Sequence, residues 1–125
     1  MTMTMPSLLV VVLNYRTAPM TLRAAQAAMA DMPPGAEMVI VDNASGDGSD
    51  AVLAAAVADR GWSDRVRFIA SDRNGGFGAG NNIGIRAGMS DGTAPDFVYL
   101  VNSDAFLDAG CIGALMAHME AHPRA

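Results

Sequence analysis

Apolar residues are concentrated in four short runs along the chain. These runs consist mainly of Val, Leu, Ile and aromatic residues, and they cover residues 8–13, 38–41, 66–70 and 97–101. Runs of this length that show no regular alternation with polar positions are typical of strands buried on both faces of a parallel sheet. The pattern therefore predicts four strands.

A longer block with helical character follows each run. Pro19 suits the first turn of a helix, whereas the segment 33–35 and Gly61 are sequences that end one. Strands that alternate with helices predict an α/β fold, a Rossmann-like and mostly parallel sheet with helices on both faces. The predicted helices cover residues 20–32, 50–60, 79–87 and 110–122.

Length and composition favour a single domain. With 125 residues, 51% of them hydrophobic, the chain suits one compact unit over residues 8–125 after a loose start over residues 1–7. The run at 8–13 is far shorter than the ~20 residues of a membrane-spanning helix. The one cysteine, Cys111, has no internal disulfide partner, which favours a small buried side chain in a reducing compartment. We therefore expect a cytoplasmic protein.

The charge distribution restricts the possible partners. The net charge is -5, and the eight basic residues are scattered, so no basic surface for nucleic acid is expected. An acidic protein that binds a phosphorylated ligand must offset the repulsion with a metal ion, backbone amides or a helix N-terminus.

Polar side chains follow each predicted strand directly. In an open parallel sheet, ligands bind at the carboxyl ends of the strands. Asn and Asp also form turns, which explains any one of these loops equally well, but four together favour a ligand site. The residues at these ends are Asn14, Tyr15 and Arg16; Asp42 and Asn43; Ser71, Asp72, Arg73 and Asn74; and Asn102, Ser103 and Asp104.

The glycine-rich segment 74–88 fits neither common nucleotide motif. The first loop has no glycine, and Ile83 stands where a dinucleotide fingerprint needs its third glycine. A phosphate loop needs a lysine, and the chain has none. Two interpretations are left open: a backbone that a ligand can approach closely before a helix N-terminus, or an ordinary mobile loop.

Asp104 is the candidate metal ligand. A carboxylate directly after a buried strand can hold Mg²⁺ or Mn²⁺ beside a diphosphate, although an aspartate there could equally cap a helix. His118 and His122 lie four residues apart on the last predicted helix. Because no third ligand is near them in the sequence, we do not interpret them as a metal pair.

Four sequence blocks together resemble family 2 glycosyltransferases of the GT-A fold, in particular the bacterial rhamnosyltransferase branch. They are VVVLNYR, VIVDNASGDGS, NGGFGAGNNIGIR and FVYLVNSDAFLDAG, in the family's order and spacing. The resemblance implies an inverting enzyme that takes rhamnose from dTDP-rhamnose, or another sugar from a UDP-sugar. The acceptor would be a cell-surface glycan or a lipid-linked acceptor, and the full-length protein would lie peripherally at the inner membrane.

The resemblance also implies roles for individual residues. Asn14 and Tyr15 would surround the base, and either Asp42 or Asn43 would bind its edge. The glycine block would lie along the ribose and diphosphate through Gly76, Phe77 and Asn81. Asn102, Ser103 and Asp104 occupy the family's D-x-D position, where Asp104 would contact Mg²⁺ or Mn²⁺.

The family's general base is expected beyond Ala125, because no acid in residues 1–125 matches its position. The chain would then be the donor-binding half of the enzyme and would transfer sugar inefficiently alone. Two alternatives are a non-catalytic nucleotide-binding module and a sugar nucleotidyltransferase. The latter normally carries a glycine-rich loop with a basic residue after the first strand, which this chain lacks.

Overall fold

A computed structural model describes residues 6–103 and 111–121. Strands and helices alternate along these residues, as the sequence predicts. The elements are β1 (Leu8–Asn14), α1 (Ala18–Asp31), β2 (Glu37–Asp42), α2 (Ser49–Asp59), β3 (Val66–Ala70), α3 (Phe77–Ala87), β4 (Phe97–Asn102) and α4 (Cys111–Ala121).

The four strands form one parallel sheet in the order β3-β2-β1-β4. The chain builds outward from β1 to β3 and then returns to the other side of β1 for β4. The strand order therefore reverses between the neighbouring strands β1 and β4, and such a reversal is where open sheets of this class bind ligands. The predicted α/β fold with a mostly parallel sheet is confirmed.

Two apolar clusters cover the two faces of the sheet. The larger cluster lies under α1, α2 and α4, and includes Ile40 and Leu53. The smaller lies under α3, which packs on β1 and β2. Val98 and Leu100 of β4 are on the α3 side of the sheet and stay partly exposed, because α3 does not extend over this edge strand.

The element boundaries differ from the predicted ones by small shifts. Asn14, Asp42 and Asn102 are the last residues of their strands, because each continues the parallel register: Asn14 pairs with Asp42, and Leu13 pairs with Asn102. Within the predicted loose start, residues 1–5 are outside the described part, and Ser7 is hydrogen-bonded to Asp96 at the start of β4. Within the described part of the chain, no helix is long and apolar enough to cross a membrane.

Candidate donor-binding site

The strand ends after β1 and β2 are joined by a buried hydrogen-bond network. Asn14, which is fully buried, donates from Nδ2 to Asp42 Oδ1 at 2.8 Å and accepts from the Thr21 hydroxyl at 2.6 Å. Asp42 also accepts from the Ser45 hydroxyl at 2.6 Å and from the Ser45 backbone N–H at 3.3 Å. Because their hydrogen bonds go to neighbouring protein groups, Asn14 and Asp42 form the floor of the site.

Asn43 differs from Asp42 because one of its polar atoms has no protein partner. Its side chain is 3% exposed, and Nδ2 donates to Asn74 Oδ1 at 3.1 Å and to the Gly76 carbonyl at 3.2 Å. These two acceptors fix the orientation of the amide, which leaves Oδ1 as the buried acceptor without a hydrogen bond. A buried acceptor left without a donor costs about 1–3 kcal/mol, which makes Oδ1 a candidate ligand contact.

Asn43 lines a cavity of about 430 Å³, which we call the β2-side cavity. Its other polar walls come from the loop after β3 and from one face of α3, and two apolar residues of α3 complete it. The lining includes Ser71, Asp72, Arg73, Ala79, Asn82, Ile83 and Arg86. The cavity is therefore lined by the residue that carries the unpaired acceptor, by two arginines and by a small apolar surface.

The loop after β1 has an unusual backbone that Ser45 holds in place. Arg16 has a φ of 57°, in the left-handed region that few non-glycine residues adopt. Its backbone N–H donates to Ser45 Oγ and its Nε to the Ser45 carbonyl, both at 2.9 Å. The guanidinium lies 5.1 Å from the centre of the Tyr15 ring, within cation–π distance. These contacts hold Tyr15, which is 43% exposed, at the mouth of the site.

A second cavity, of about 350 Å³, lies between the ends of β1 and β4; we call it the β4-side cavity. It brings together four of the residues that the sequence predicted as a site: Tyr15, Phe77, Asn102 and Ser103. Phe77 is 59% exposed, although it begins α3. Thr17 also lines this cavity. Exposed aromatic rings beside polar oxygen and amide groups suit a ligand with both apolar and charged parts.

Two of the three glycines of α3 serve helix packing. Asn81 is buried, and its Nδ2 donates to the Phe77 carbonyl within the helix. Gly80 and Gly84 face the sheet, where a Cβ would come within 2.7 Å of Leu13 and 2.5 Å of Val11. Small residues at these two positions let α3 lie directly on β1. Gly76 precedes the helix with a φ of 99°, a conformation that favours glycine.

The donor atoms near the end of β4 suit a hard cation. Asn102 and Ser103, whose side chains carry an amide oxygen and a hydroxyl oxygen, line the β4-side cavity, and Mg²⁺ and Mn²⁺ prefer oxygen ligands. The predicted ligand Asp104 lies outside the described residues, as does His122, while His118 is exposed on α4. Among residues 6–103 and 111–121, no three His, Cys, Asp or Glu side chains form a metal-binding group.

An exposed carboxylate lies in the loop after β2. Asp47 accepts a hydrogen bond from the Ser49 backbone N–H at 3.0 Å. Hydrogen bonding by Ser49, with a smaller contribution from the charge of Arg16, lowers the pKa of Asp47. The group therefore stays ionised beside the rim of the site.

Sequence reasoning had no signal for several of these residues. Ser45 and Thr21 are ordinary hydroxyl residues in sequence, and only the register of β1 against β2 together with the path of α1 brings both into one network. Arg16 and Arg73 stood in the strand-end loops but without an assigned role. The side chain of Cys111, predicted to be buried, lies outside the described part of the chain.

Comparisons with known proteins agree with this geometry. The family model for glycosyl transferase family 2 matches residues 7–125, so the chain belongs to this family. Membership sets the sugar nucleotidyltransferase alternative aside. A curated relative, the succinoglycan biosynthesis protein ExoO of Rhizobium meliloti (strain 1021), is 42% identical over 82 residues, which are 66% of this chain and 22% of the relative.

Solved structures share the fold at lower identity. One is the mannosyltransferase PcManGT from Pyrobaculum calidifontis in complex with GDP-Man and Mn²⁺, at a TM-score of 0.71 and 22% identity, with 83% of this chain and 29% of that chain covered. Another is S. aureus TarS 1–349 in complex with UDP-GlcNAc, at a TM-score of 0.72 and 19% identity. The match covers 94% of this chain and 32% of that chain. The chain thus spans about a fifth to a third of the length of these proteins.

Proposed function

We propose that this chain is the donor-binding part of an inverting glycosyltransferase that uses a nucleoside diphosphate sugar. The acceptor would be a cell-surface glycan or a lipid-linked precursor, and the donor would be dTDP-rhamnose. Family membership and two neighbours solved with sugar nucleotides support the class of donor. Cytoplasmic action belongs to the proposal and is supported by the single cysteine in 125 residues.

The observation that carries the proposal is the unpaired Oδ1 of Asn43. A pyrimidine base of the uracil or thymine type has one imide N–H, which can donate to this atom. Arg73 lines the same cavity, and its guanidinium can donate to a base carbonyl. Asp42, the alternative base-edge residue, is already engaged with Asn14 and Ser45. We therefore assign the base edge to Asn43.

The remainder of the donor would extend toward β4. With the base in the β2-side cavity, the ribose and diphosphate would pass Tyr15 and Phe77 and reach Asn102 and Ser103 in the β4-side cavity. The net charge of -5 makes a counter-ion necessary near the diphosphate. Asp104 would hold Mg²⁺ or Mn²⁺ together with these oxygen groups. A bound metal stabilises the charge of the leaving diphosphate as a Lewis acid.

This chain's own residues would bind and orient the donor. Asn43 fixes the base edge, the Tyr15 ring limits water access at the mouth, and the buried pair Asn14 and Asp42 keeps the floor rigid. We assign none of the described carboxylates as the general base that deprotonates the acceptor. The proposed role of the described residues is therefore to place the donor for in-line attack.

The preference for thymidine over uridine has a modest physical basis. Ala79 and Ile83 are apolar residues of the β2-side cavity, and they offer a surface for the thymine methyl. One extra methyl in an apolar pocket contributes about 1–3 kcal/mol. We therefore expect dTDP to bind about tenfold more tightly than dUDP, which lacks only this methyl, since 1.4 kcal/mol corresponds to a tenfold change in affinity.

Calorimetric titration of the chain with dTDP, UDP and GDP under excess Mg²⁺ tests the proposal. We expect dTDP to bind most tightly and Asn43→Ala to weaken it by about 1–3 kcal/mol. Asn74→Ala is compared with it, because it removes only one of the two acceptors that orient the Asn43 amide, and it should weaken binding less than Asn43→Ala. A preference for UDP or GDP would contradict the rhamnosyl assignment. Absence of binding to any nucleotide would refute the donor site itself.

A further inference from the structure

Thr17 stands at the N-cap position of α1 but does not cap the helix. A threonine at this position ordinarily accepts a hydrogen bond from a backbone N–H of the first turn. Here the Thr17 side chain makes no capping hydrogen bond. The helix begins without it, because Pro19 lacks an N–H and the Thr21 N–H is bonded to the Thr17 carbonyl at 2.9 Å. The hydroxyl is therefore available for a different contact.

That contact reaches across the site to the end of β4. The Thr17 hydroxyl donates to Ser103 Oγ at 3.2 Å and lies 3.4 Å from Asn14 Oδ1. Asn14 Oδ1 already accepts a shorter bond of 2.6 Å from Thr21. The pairing of β4 with β1 ends at Asn102, so Ser103 lies one residue beyond the strand ladder. Thr17, at the start of α1, is thus hydrogen-bonded to Ser103, the first residue after the pairing of β4 with β1.

We propose that Thr17 is a positioning residue for the diphosphate end of the donor, acting through Ser103. This inference rests on the proposed function, because it concerns the same cleft. The β1–β2 floor does not depend on this hydroxyl, since Asn14, Asp42 and Ser45 are joined by bonds of their own. Loss of the hydroxyl therefore releases Ser103, while Asn102 stays paired with Leu13 and the base end stays intact.

The test compares binding of a nucleoside diphosphate with binding of the nucleoside alone. Affinities for dTDP or UDP are measured by calorimetry with excess Mn²⁺, and those for thymidine or uridine by ligand-observed NMR. For Thr17→Val we expect diphosphate affinity to fall about two- to tenfold, the range for one hydrogen bond. Nucleoside affinity should stay within error of the wild type, and the melting temperature should fall by no more than the few degrees expected for one hydrogen bond. Thr17→Ser, which keeps the hydroxyl, should restore the diphosphate affinity.

Thr93→Val is the matched control, because it makes the same chemical change in a loop remote from the cleft. The Thr93 hydroxyl donates to Asp91 at 2.6 Å on the surface. This variant should bind both ligands as the wild type does. Ser103→Ala removes the partner from the other side, and adding Thr17→Val to it should cause little further loss, as expected if Thr17 acts only through Ser103. If Thr17→Val does not fold, Thr17→Ala takes its place and must show the selective loss.

Three results would overturn the inference. Unchanged diphosphate affinity in a folded Thr17→Val or Ser103→Ala variant would remove the positioning role. An equal loss for nucleoside and nucleoside diphosphate, accompanied by a lower melting temperature, would assign Thr17 to general stability. If the wild-type chain binds no nucleoside diphosphate, the proposed function itself fails, and that failure is recognised before any variant is compared.

Discussion

Gly84 marks the closest approach of α3 to the sheet, and an added methyl group there should destabilise the fold. A Cβ on Gly84 would lie 2.5 Å from Cγ1 and 3.1 Å from Cγ2 of Val11. Val11 is fully buried, and its strand is paired on both sides by β2 and β4. A β-branched side chain has little rotamer freedom to move away. Gly84→Ala must therefore push α3 from the sheet.

Two opposing effects set the size of the change. Adding a methyl group to a well-packed core costs about 1–3 kcal/mol, whereas Gly to Ala in a helix gains up to about 1 kcal/mol from propensity. The overlap with Val11 is severe, so we expect a net loss of about 1–2 kcal/mol in the free energy of unfolding. For a chain of this size, this corresponds to a fall of roughly 3–10 °C in melting temperature.

Gly78→Ala is the matched control in the same helix. A Cβ there meets nothing within 4 Å, so only the propensity gain of up to about 1 kcal/mol applies. The two variants should therefore move the unfolding midpoint in opposite directions. Urea and thermal unfolding followed by circular dichroism, without nucleotide, measure both changes. If Gly84→Ala proves as stable as Gly78→Ala, the close packing of α3 on β1 is refuted.

Two further predictions concern charge at the site. Chelation of divalent cations should weaken binding of the nucleoside diphosphate to the wild type at least about tenfold, or 1.4 kcal/mol. Asp104→Ala should show this weaker binding both with and without chelator. If the wild type binds equally well in both conditions, the metal has no role in the donor site. Because the Ser49 contacts lower the pKa of Asp47 in the fold, its ionised form stabilises the protein above about pH 4 and loses this effect as the pH falls further. Asp47→Asn should therefore have a lower melting temperature than the wild type at neutral pH, and the difference should vanish in acid. A difference in melting temperature that stays constant across this pH range would contradict the assignment.

The sequence was sufficient to predict the strands and helices, but not which polar residues bond to one another and which one keeps an unpaired atom. Apolar runs bounded by turn residues identify the strands, because burial on both faces leaves little room for polar side chains. The role of Asn14 was beyond sequence reasoning, since its partners Asp42 and Thr21 come together only through strand register and the path of α1. From sequence, Asp42 and Asn43 were equivalent candidates, and only their hydrogen bonds distinguish them.

The glycine block gives a second example of what the sequence leaves open. A run of glycines is compatible with ligand approach, loop motion or close packing. These three possibilities differ in whether the Cα of each glycine faces a ligand, the solvent or the sheet. In the structure Gly80 and Gly84 face Leu13 and Val11. That direction depends on where α3 begins and how it is rotated on the sheet, and the local sequence specifies neither.

The buried floor formed by Asn14, Asp42 and Ser45 also bears on how this protein could be redesigned. Each of these side chains is held by at least two others, so a change at one position would leave unpaired groups at its neighbours. The rim is different, because Tyr15 and Phe77 are exposed and neither side chain belongs to the hydrogen-bond network of the floor. Libraries that aim at a new donor should therefore vary the rim and keep the floor unchanged.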